Sequence, residues 1–194
     1  MRSALAAGEG LVLDLGANYG AYSRLAAEHA DYVVAVDSDE KVVDDLYRQL
    51  RAEGNENVLP LVMNIVDPSG GLGWRNRERA AFSERVLPDV VLALALVHHL
   101  VISASVPLPE VVSWLRSFGC RVVVEFVHVE DVQVQRLLAN KPAGLFDDYR
   151  REGFERLLAQ QFVIQKRQQL PGETRTLYVA DPRGEAQPAG HVDR

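Results

Sequence analysis

The sequence is poor in cysteine, tryptophan and methionine, with one Cys, two Trp and two Met in 194 residues. A single cysteine, Cys120, excludes an intramolecular disulfide and any multi-cysteine zinc site, and it suits a reducing compartment. No apolar stretch reaches the roughly 20 residues that a membrane-spanning helix needs. The amino terminus offers one basic residue, Arg2, and a short Ala/Leu run broken by Gly8, Glu9 and Gly10, which makes a poor secretion signal. A cytoplasmic protein is the expectation. Basic excess is also missing: 21 Lys and Arg face 27 Asp and Glu, for a formal charge of −6. Proteins that track phosphates are usually basic, so nucleic acid is not the expected partner. Internal repeats are absent.

What remains is an ordinary globular balance, 47% hydrophobic and 25% charged, in a length that suits one domain with a sizeable core. Short apolar runs alternate with amphipathic stretches, the pattern of βαβ units and a mostly parallel sheet. Strands are expected at Leu11–Leu15, Tyr32–Val36, Asn57–Met63, Asp89–Leu94 and Arg121–Val127. Helices are expected at Tyr22–Ala30, Asp39–Glu53, Pro107–Phe118, Asp131–Ala139 and Tyr149–Gln160. Asp39 or Ser38 is a natural N-cap, while Gly54 and Gly119 stop their helices. Phe162–Gln169 and Thr174–Ala180 form an expected antiparallel hairpin around Leu170-Pro171-Gly172-Glu173, whose Pro-Gly pair favours a tight reversal.

Two segments depart from this rhythm. Residues 67–87 replace a helix with a glycine-rich insertion containing Gly70, Gly71, Gly73 and Trp74, with helix expected only near Glu78–Val86. A mobile lid is one reading, with Trp74 over an aromatic or apolar ligand and its arginines on an anion. A solvated helix laced with Glu–Arg pairs is the other. Residues 181–194 are rich in Pro, Gly and polar groups and are expected to be disordered. The first strand starts so early that a longer polypeptide carrying further domains is also an expectation.

Chemistry concentrates after the first strand, in Asp14-Leu15-Gly16-Ala17-Asn18-Tyr19-Gly20. Glycines at a strand-to-helix junction accept positive φ and let a ligand approach the backbone. Their G-x-x-x-G spacing departs from the G-x-G-x-x-G of dinucleotide sites, which disfavours NAD. Asp37 ends the second strand, where a carboxylate can accept hydrogen bonds from both ribose hydroxyls of an adenosine ligand. Asp-x-Gly-x-Asn-x-Gly resembles motif I of the class I S-adenosylmethionine-dependent methyltransferases, and the resemblance extends from about Leu11 to Ala180. From Gly73 to Leu100 the chain is also similar to nodulation-protein-type methyltransferases.

The resemblance implies a three-layer, Rossmann-like α/β fold spanning residues 1–180. Its seven-stranded, mostly parallel sheet would run in the order 3-2-1-4-5-7-6, closed by a C-terminal antiparallel hairpin. It implies S-adenosyl-L-methionine as cofactor, with Gly16, Ala17 and Gly20 along its amino-acid portion and Asp14 near its ammonium. Asn18, Tyr19, Asp37, Ser38, Asn64, Ile65 and Leu94 complete the expected cofactor set. Asn64 stands where the family often has an acidic residue.

Methyl transfer from a sulfonium is an in-line displacement, needing alignment and, for a hydroxyl or ammonium acceptor, loss of a proton. His98 and His99 follow the fourth strand and suit that proton removal. Paired histidines here recur in small-molecule methyltransferases of the family, whereas the Asn/Asp-Pro-Pro-Tyr motif of amino-N enzymes on nucleic acid and protein is missing. Scaffold roles for both histidines stay open. Glu125 and His128 end the fifth strand; Glu125, buried in a valine-rich strand, needs a partner and serves either catalysis or a structural salt bridge or hydrogen bond. No metal is expected, because neither a cysteine cluster nor His-Glu-x-x-His accompanies the histidines. The favoured function is methylation of a small molecule. Alternatives are an RNA or protein methyltransferase with a basic groove at Arg75, Arg77, Arg79, Lys166 and Arg167, or a non-catalytic cofactor-binding module.

Overall fold

The computed structural model describes residues 9–184. They form a seven-stranded sheet in the order β3-β2-β1-β4-β5-β7-β6, flanked by helices. The chain divides into two compact units, one running to Leu92 and the other starting at Ala93.

In the first unit, β1 (Glu9–Leu15), β2 (Ala30–Asp37) and β3 (Val58–Val62) pair in parallel. β4 (Val90–Ala93) pairs with β1 on the other side, in register Asp14 with Leu92. Such central strands are covered on both faces, so their residues are apolar without alternation. Val12, Leu13, Leu15, Val33 and Val36 are accordingly buried. α1 (Ala21–Ala27) is shorter than its apolar pattern predicts, because Ala30 already begins β2. α2 (Glu40–Glu53) starts where Asp39 accepts from the amides of Lys41 and Val42, and stops at Gly54 in the left-handed conformation.

The insertion contains a 3-10 turn at Trp74–Asn76 and one short helix, α3 (Phe82–Arg85). Leu72 and Arg79 exchange backbone hydrogen bonds of 2.9 and 3.1 Å, giving the loop a two-residue antiparallel neck. Trp74 stands at its tip, 78% exposed. Expected helix at Glu78–Val86 is thus limited to a single turn, since the residues before Phe82 are committed to the neck.

In the second unit, α4 (Leu108–Ser117) precedes β5 (Arg121–Val127), which has the limits that its valine run predicts. α5 (Val132–Leu138) and α6 (Arg151–Gln161) follow. β6 (Phe162–Gln169) and β7 (Arg175–Pro182) form the antiparallel hairpin, and β7 also pairs antiparallel with β5. β7 continues past Ala180 to Pro182, where Arg121 holds Asp181 in an ion pair of 2.7 Å. The remainder of the expected tail, residues 185–194, lies outside the described residues. Phe126, Tyr149, Phe154 and Tyr178 stack as the aromatic centre of this unit, with neighbouring ring centroids 4.8 to 5.5 Å apart. The Tyr149 hydroxyl donates to the Val127 carbonyl at 2.8 Å, so its burial leaves no polar group unpaired.

Candidate active site

The loop between β1 and α1 is held mostly by its own neighbours. The amides of Gly16 and Ala17 both donate to the Val36 carbonyl, at 2.8 and 2.9 Å, which anchors the loop to the end of β2. Asn18, at φ 49°, gives its amide to Asp37 Oδ2 at 2.9 Å and accepts the Tyr19 amide on its own side chain. Arg24 donates to the Tyr19 carbonyl at 3.1 Å and pairs with Glu53 of α2. Gly20 sits at φ 73°, and a Cβ placed there would lie 2.5 Å from Leu46 Cδ1. Its glycine is therefore required by backbone conformation and by packing against α2.

Asp37 is the hinge of this arrangement. One carboxylate oxygen accepts from Asn18 and the other accepts from the Asp39 amide at 3.0 Å. Each oxygen keeps further acceptor capacity, and the side chain is only half-buried. A carboxylate in that state fits a vicinal diol such as a ribose. Next to it, Asn18, Tyr19 and Ser38 are exposed. Asn64 is exposed after β3, its side chain accepting from the Val66 amide at 3.0 Å, and Ile65 is half-buried beside it.

Asp14 is different in character. It is 2% exposed and accepts the Ser23 hydroxyl at 2.6 Å. Burial pushes its carboxyl up to about 6; the Ser23 hydrogen bond opposes that rise, and the Asp37 charge adds to it.

The second unit gathers the residues expected to act on an acceptor. Leu94 is buried at the end of β4, and Ala95 follows with a left-handed φ of 50°. The chain then enters a helical segment, with His98 at φ −66° and a π-helical turn over His99–Ser103. The histidines thus open a helical turn instead of extending a strand end. Their rings lie 4.2 Å apart between centroids. His98 is 2% exposed, and its Nδ1 has no hydrogen-bond partner among the described residues. Burial lowers its basicity to about 4, helped by His99 and Arg175 and opposed by Asp131. His99 is exposed.

Glu125 has the partner its burial demands. It is 4% exposed, pairs with Arg175 at 3.2 Å and accepts the Ala95 amide at 3.1 Å. His128 is buried with Nε2 2.8 Å from the Thr176 hydroxyl, a scaffold contact between β7 and the end of β5. Burial also lowers its basicity. Sequence reasoning missed Arg175 and Asp131, which meet at 2.9 Å, although arginine beside the acidic ends of neighbouring strands is a visible signal once pairing is known. A cavity of about 310 Å³ opens beside them, lined by His128, Arg150, Arg151, Glu130, Glu152 and Thr174.

Comparison with known proteins adds to this geometry. No protein-family model matches the chain. It is 39% identical over 168 residues to nodulation protein NoeA of Rhizobium meliloti strain 1021, covering 86% of this chain and 35% of NoeA. Among solved structures it is similar to the N-methyltransferase NodS from Bradyrhizobium japonicum WM9 in complex with S-adenosyl-l-homocysteine. That likeness has a TM-score of 0.63 at 15% identity, over 94% of this chain and 81% of NodS. The chain has the sheet order and the fold of the class I S-adenosylmethionine-dependent methyltransferases. A SAM-dependent methyltransferase from Aquifex aeolicus shares the same fold, with a TM-score of 0.59 at 17% identity over 91% of this chain and 83% of that one. The chain spans about a third of the length of NoeA. Among its described residues, no helix is long and apolar enough to cross a membrane.

Proposed function

We propose that this domain transfers a methyl group from S-adenosyl-L-methionine to a small-molecule acceptor. The observation that carries the reading is the β1–α1 loop closed onto Asp37, which leaves a half-buried carboxylate with spare acceptor capacity beside an exposed Asn18-Tyr19 pair. The residues present suit the cofactor. Asp37 would accept from the ribose hydroxyls, Asn64 and Ile65 would meet the adenine, and Gly16, Ala17 and Gly20 would line the amino-acid portion. Asp14, charged above about pH 6, would attract an ammonium. When bound, S-adenosyl-L-methionine supplies an electrophilic methyl on a positively charged sulfur.

In the second unit, His98 stays a neutral imidazole at physiological pH, with a buried and unpaired Nδ1. Such a group accepts a hydrogen bond from a hydroxyl or amine and orients its lone pair. A conjugate acid near 4 makes it a weak ground-state base, but the acceptor becomes far more acidic as the methyl bond forms. His99 stands beside it as a second candidate. The cavity at the end of β5 offers mixed charge to a polar acceptor, with Arg150 and Arg151 set against Glu130 and Glu152. NodS is an N-methyltransferase, so amines belong beside hydroxyl compounds among the acceptors tried.

Calorimetric titration with S-adenosylmethionine, S-adenosylhomocysteine and NAD tests the cofactor half. Both sulfur ligands should bind and NAD should not; failure of both would refute the proposal. Incubating metabolite extracts with methyl-labelled cofactor tests the acceptor half, and label recovered only in macromolecules would replace the small molecule with RNA or protein.

A further inference from the structure

Glu125 was expected either to act in catalysis or to make a structural salt bridge or hydrogen bond, and it makes both of the latter. The turn at Ala95 is unusual. A residue with a Cβ rarely adopts φ 50°, because its Cβ crowds the carbonyl oxygen. Nothing in the local sequence compensates, since neither Gly nor Asn occupies the position. Compensation comes from 30 residues away, where Glu125 Oε2 accepts the Ala95 amide at 3.1 Å. The other carboxylate oxygen is 3.2 Å from Arg175 Nη1, which balances the charge that β5 would otherwise bury alone. Arg175 is fixed in turn: its Nε donates to Asp131 Oδ2 at 2.9 Å. Asp131 is itself anchored, accepting from the Thr174 hydroxyl at 2.9 Å and from the Gln133 amide at the start of α5.

We infer that Arg175 and Glu125 form a clamp that holds Ala95 in its left-handed turn and so places His98, which makes both of them positioning residues. The inference rests on the methyl-transfer reading for its purpose, but not for its geometry. From Ala95 to His98 the chain has little slack, because the His99 amide donates to the Leu96 carbonyl at 2.9 Å and Val97 is buried. A rotation at Ala95 therefore reaches the imidazole directly. Arg175 and Asp131 also act on His98 through their charges, in opposite directions. Loss of Glu125 would reach His98 through the backbone at Ala95 and through displacement of Arg175.

A backbone clamp can be separated from a catalytic carboxylate by removing the need for it. Glycine accepts positive φ without penalty. The variants are Glu125→Ala and Glu125→Gln, each alone and combined with Ala95→Gly. The readout is NMR titration of the His98 ring nitrogens without added ligand. Glu125→Ala should move the His98 signals and their midpoint; adding Ala95→Gly should return the signals towards wild type, while the part of the midpoint shift caused by the displaced Arg175 remains. Glu125→Gln, which keeps an oxygen for the Ala95 amide, should move them less. With an acceptor in hand, Glu125→Ala should lower kcat on the order of tenfold with KM nearly constant, as misplacement of a reacting group does. Ala95→Gly should restore most of that loss. His98 signals unmoved in Glu125→Ala, or unmoved by the added glycine, would overturn the clamp. If Glu125→Ala does not fold, the same comparison with Glu125→Gln decides. Failure of the wild-type protein to bind S-adenosylhomocysteine would refute the cofactor reading and leave this test intact.

Discussion

Replacing Asp14 with asparagine should stabilise the ligand-free protein at neutral pH and weaken it as a binder of S-adenosylmethionine. Asp14 is 2% exposed, and its polar contact is the 2.6 Å hydrogen bond from Ser23. Burial raises its folded-state pKa to about 6 from an ordinary value of 3.8. An acid raised in the folded state binds more protons there than in the unfolded chain. Stability therefore falls as pH climbs from about 4 to about 6, and the deficit is constant above that. The gap corresponds to about 3 kcal/mol at pH 7. Asparagine keeps an oxygen for Ser23 and removes the charge, so most of this deficit should be recovered. For a chain of this size, a gain of about 2 to 3 kcal/mol raises Tm by roughly 5 to 10 °C. The assay is thermal or urea unfolding of both proteins at pH 4 and pH 7. The expected result is a clear advantage for Asp14→Asn at pH 7 that nearly disappears at pH 4. An equal difference at both pH values, or none at pH 7, would refute the reasoning that charge burial causes it.

Asp37→Ala should weaken S-adenosylhomocysteine binding by roughly ten- to a hundredfold, since hydrogen bonds to a charged group contribute about 1.5 to 3 kcal/mol; calorimetry measures it, and an unchanged Kd would exclude the ribose role. Gly20→Ala should destabilise the first unit by about 1 to 3 kcal/mol, because φ 73° and the Leu46 side chain both oppose a Cβ; equilibrium urea unfolding tests this. Asp131 behaves in the opposite sense to Asp14: although burial opposes it, hydrogen bonds from Arg175, Gln133 and Thr174 hold it at about 2. Its stabilising contribution should be present above about pH 4 and fade as pH falls towards 2, and Asp131→Asn should flatten that limb of the stability–pH curve. His98→Ala with His99→Ala should abolish most turnover of any acceptor found by labelling, and full activity would remove both from the chemistry.

How much of this was legible in the sequence depended on how local the cause was. α2 could be read from Asp39 and Gly54, because capping acts within a single turn. β5 could be read from its valines, and the hairpin from Pro171-Gly172. The loop between β1 and α1 was visible as a motif, although the packing requirement on Gly20 was not, since Leu46 lies on a different helix. The helical turn at the histidines could not be seen. Leu94 to Ile102 is apolar enough to continue a strand, and the residue that bends it, Ala95, carries no turn signal. Its conformation is set by Glu125 across 30 positions of sequence. The same distance hid Arg175 and Asp131, whose pairing depends on strand order.

The two amides sharing the Val36 carbonyl have a kinetic consequence. A loop whose donors are already engaged by the protein owes its shape to no guest. If the proposed cofactor binds here, its exchange would need no refolding of this loop. Turnover limited by release should consequently follow ligand off-rates, and it should be insensitive to solvents or osmolytes that favour compact chain segments.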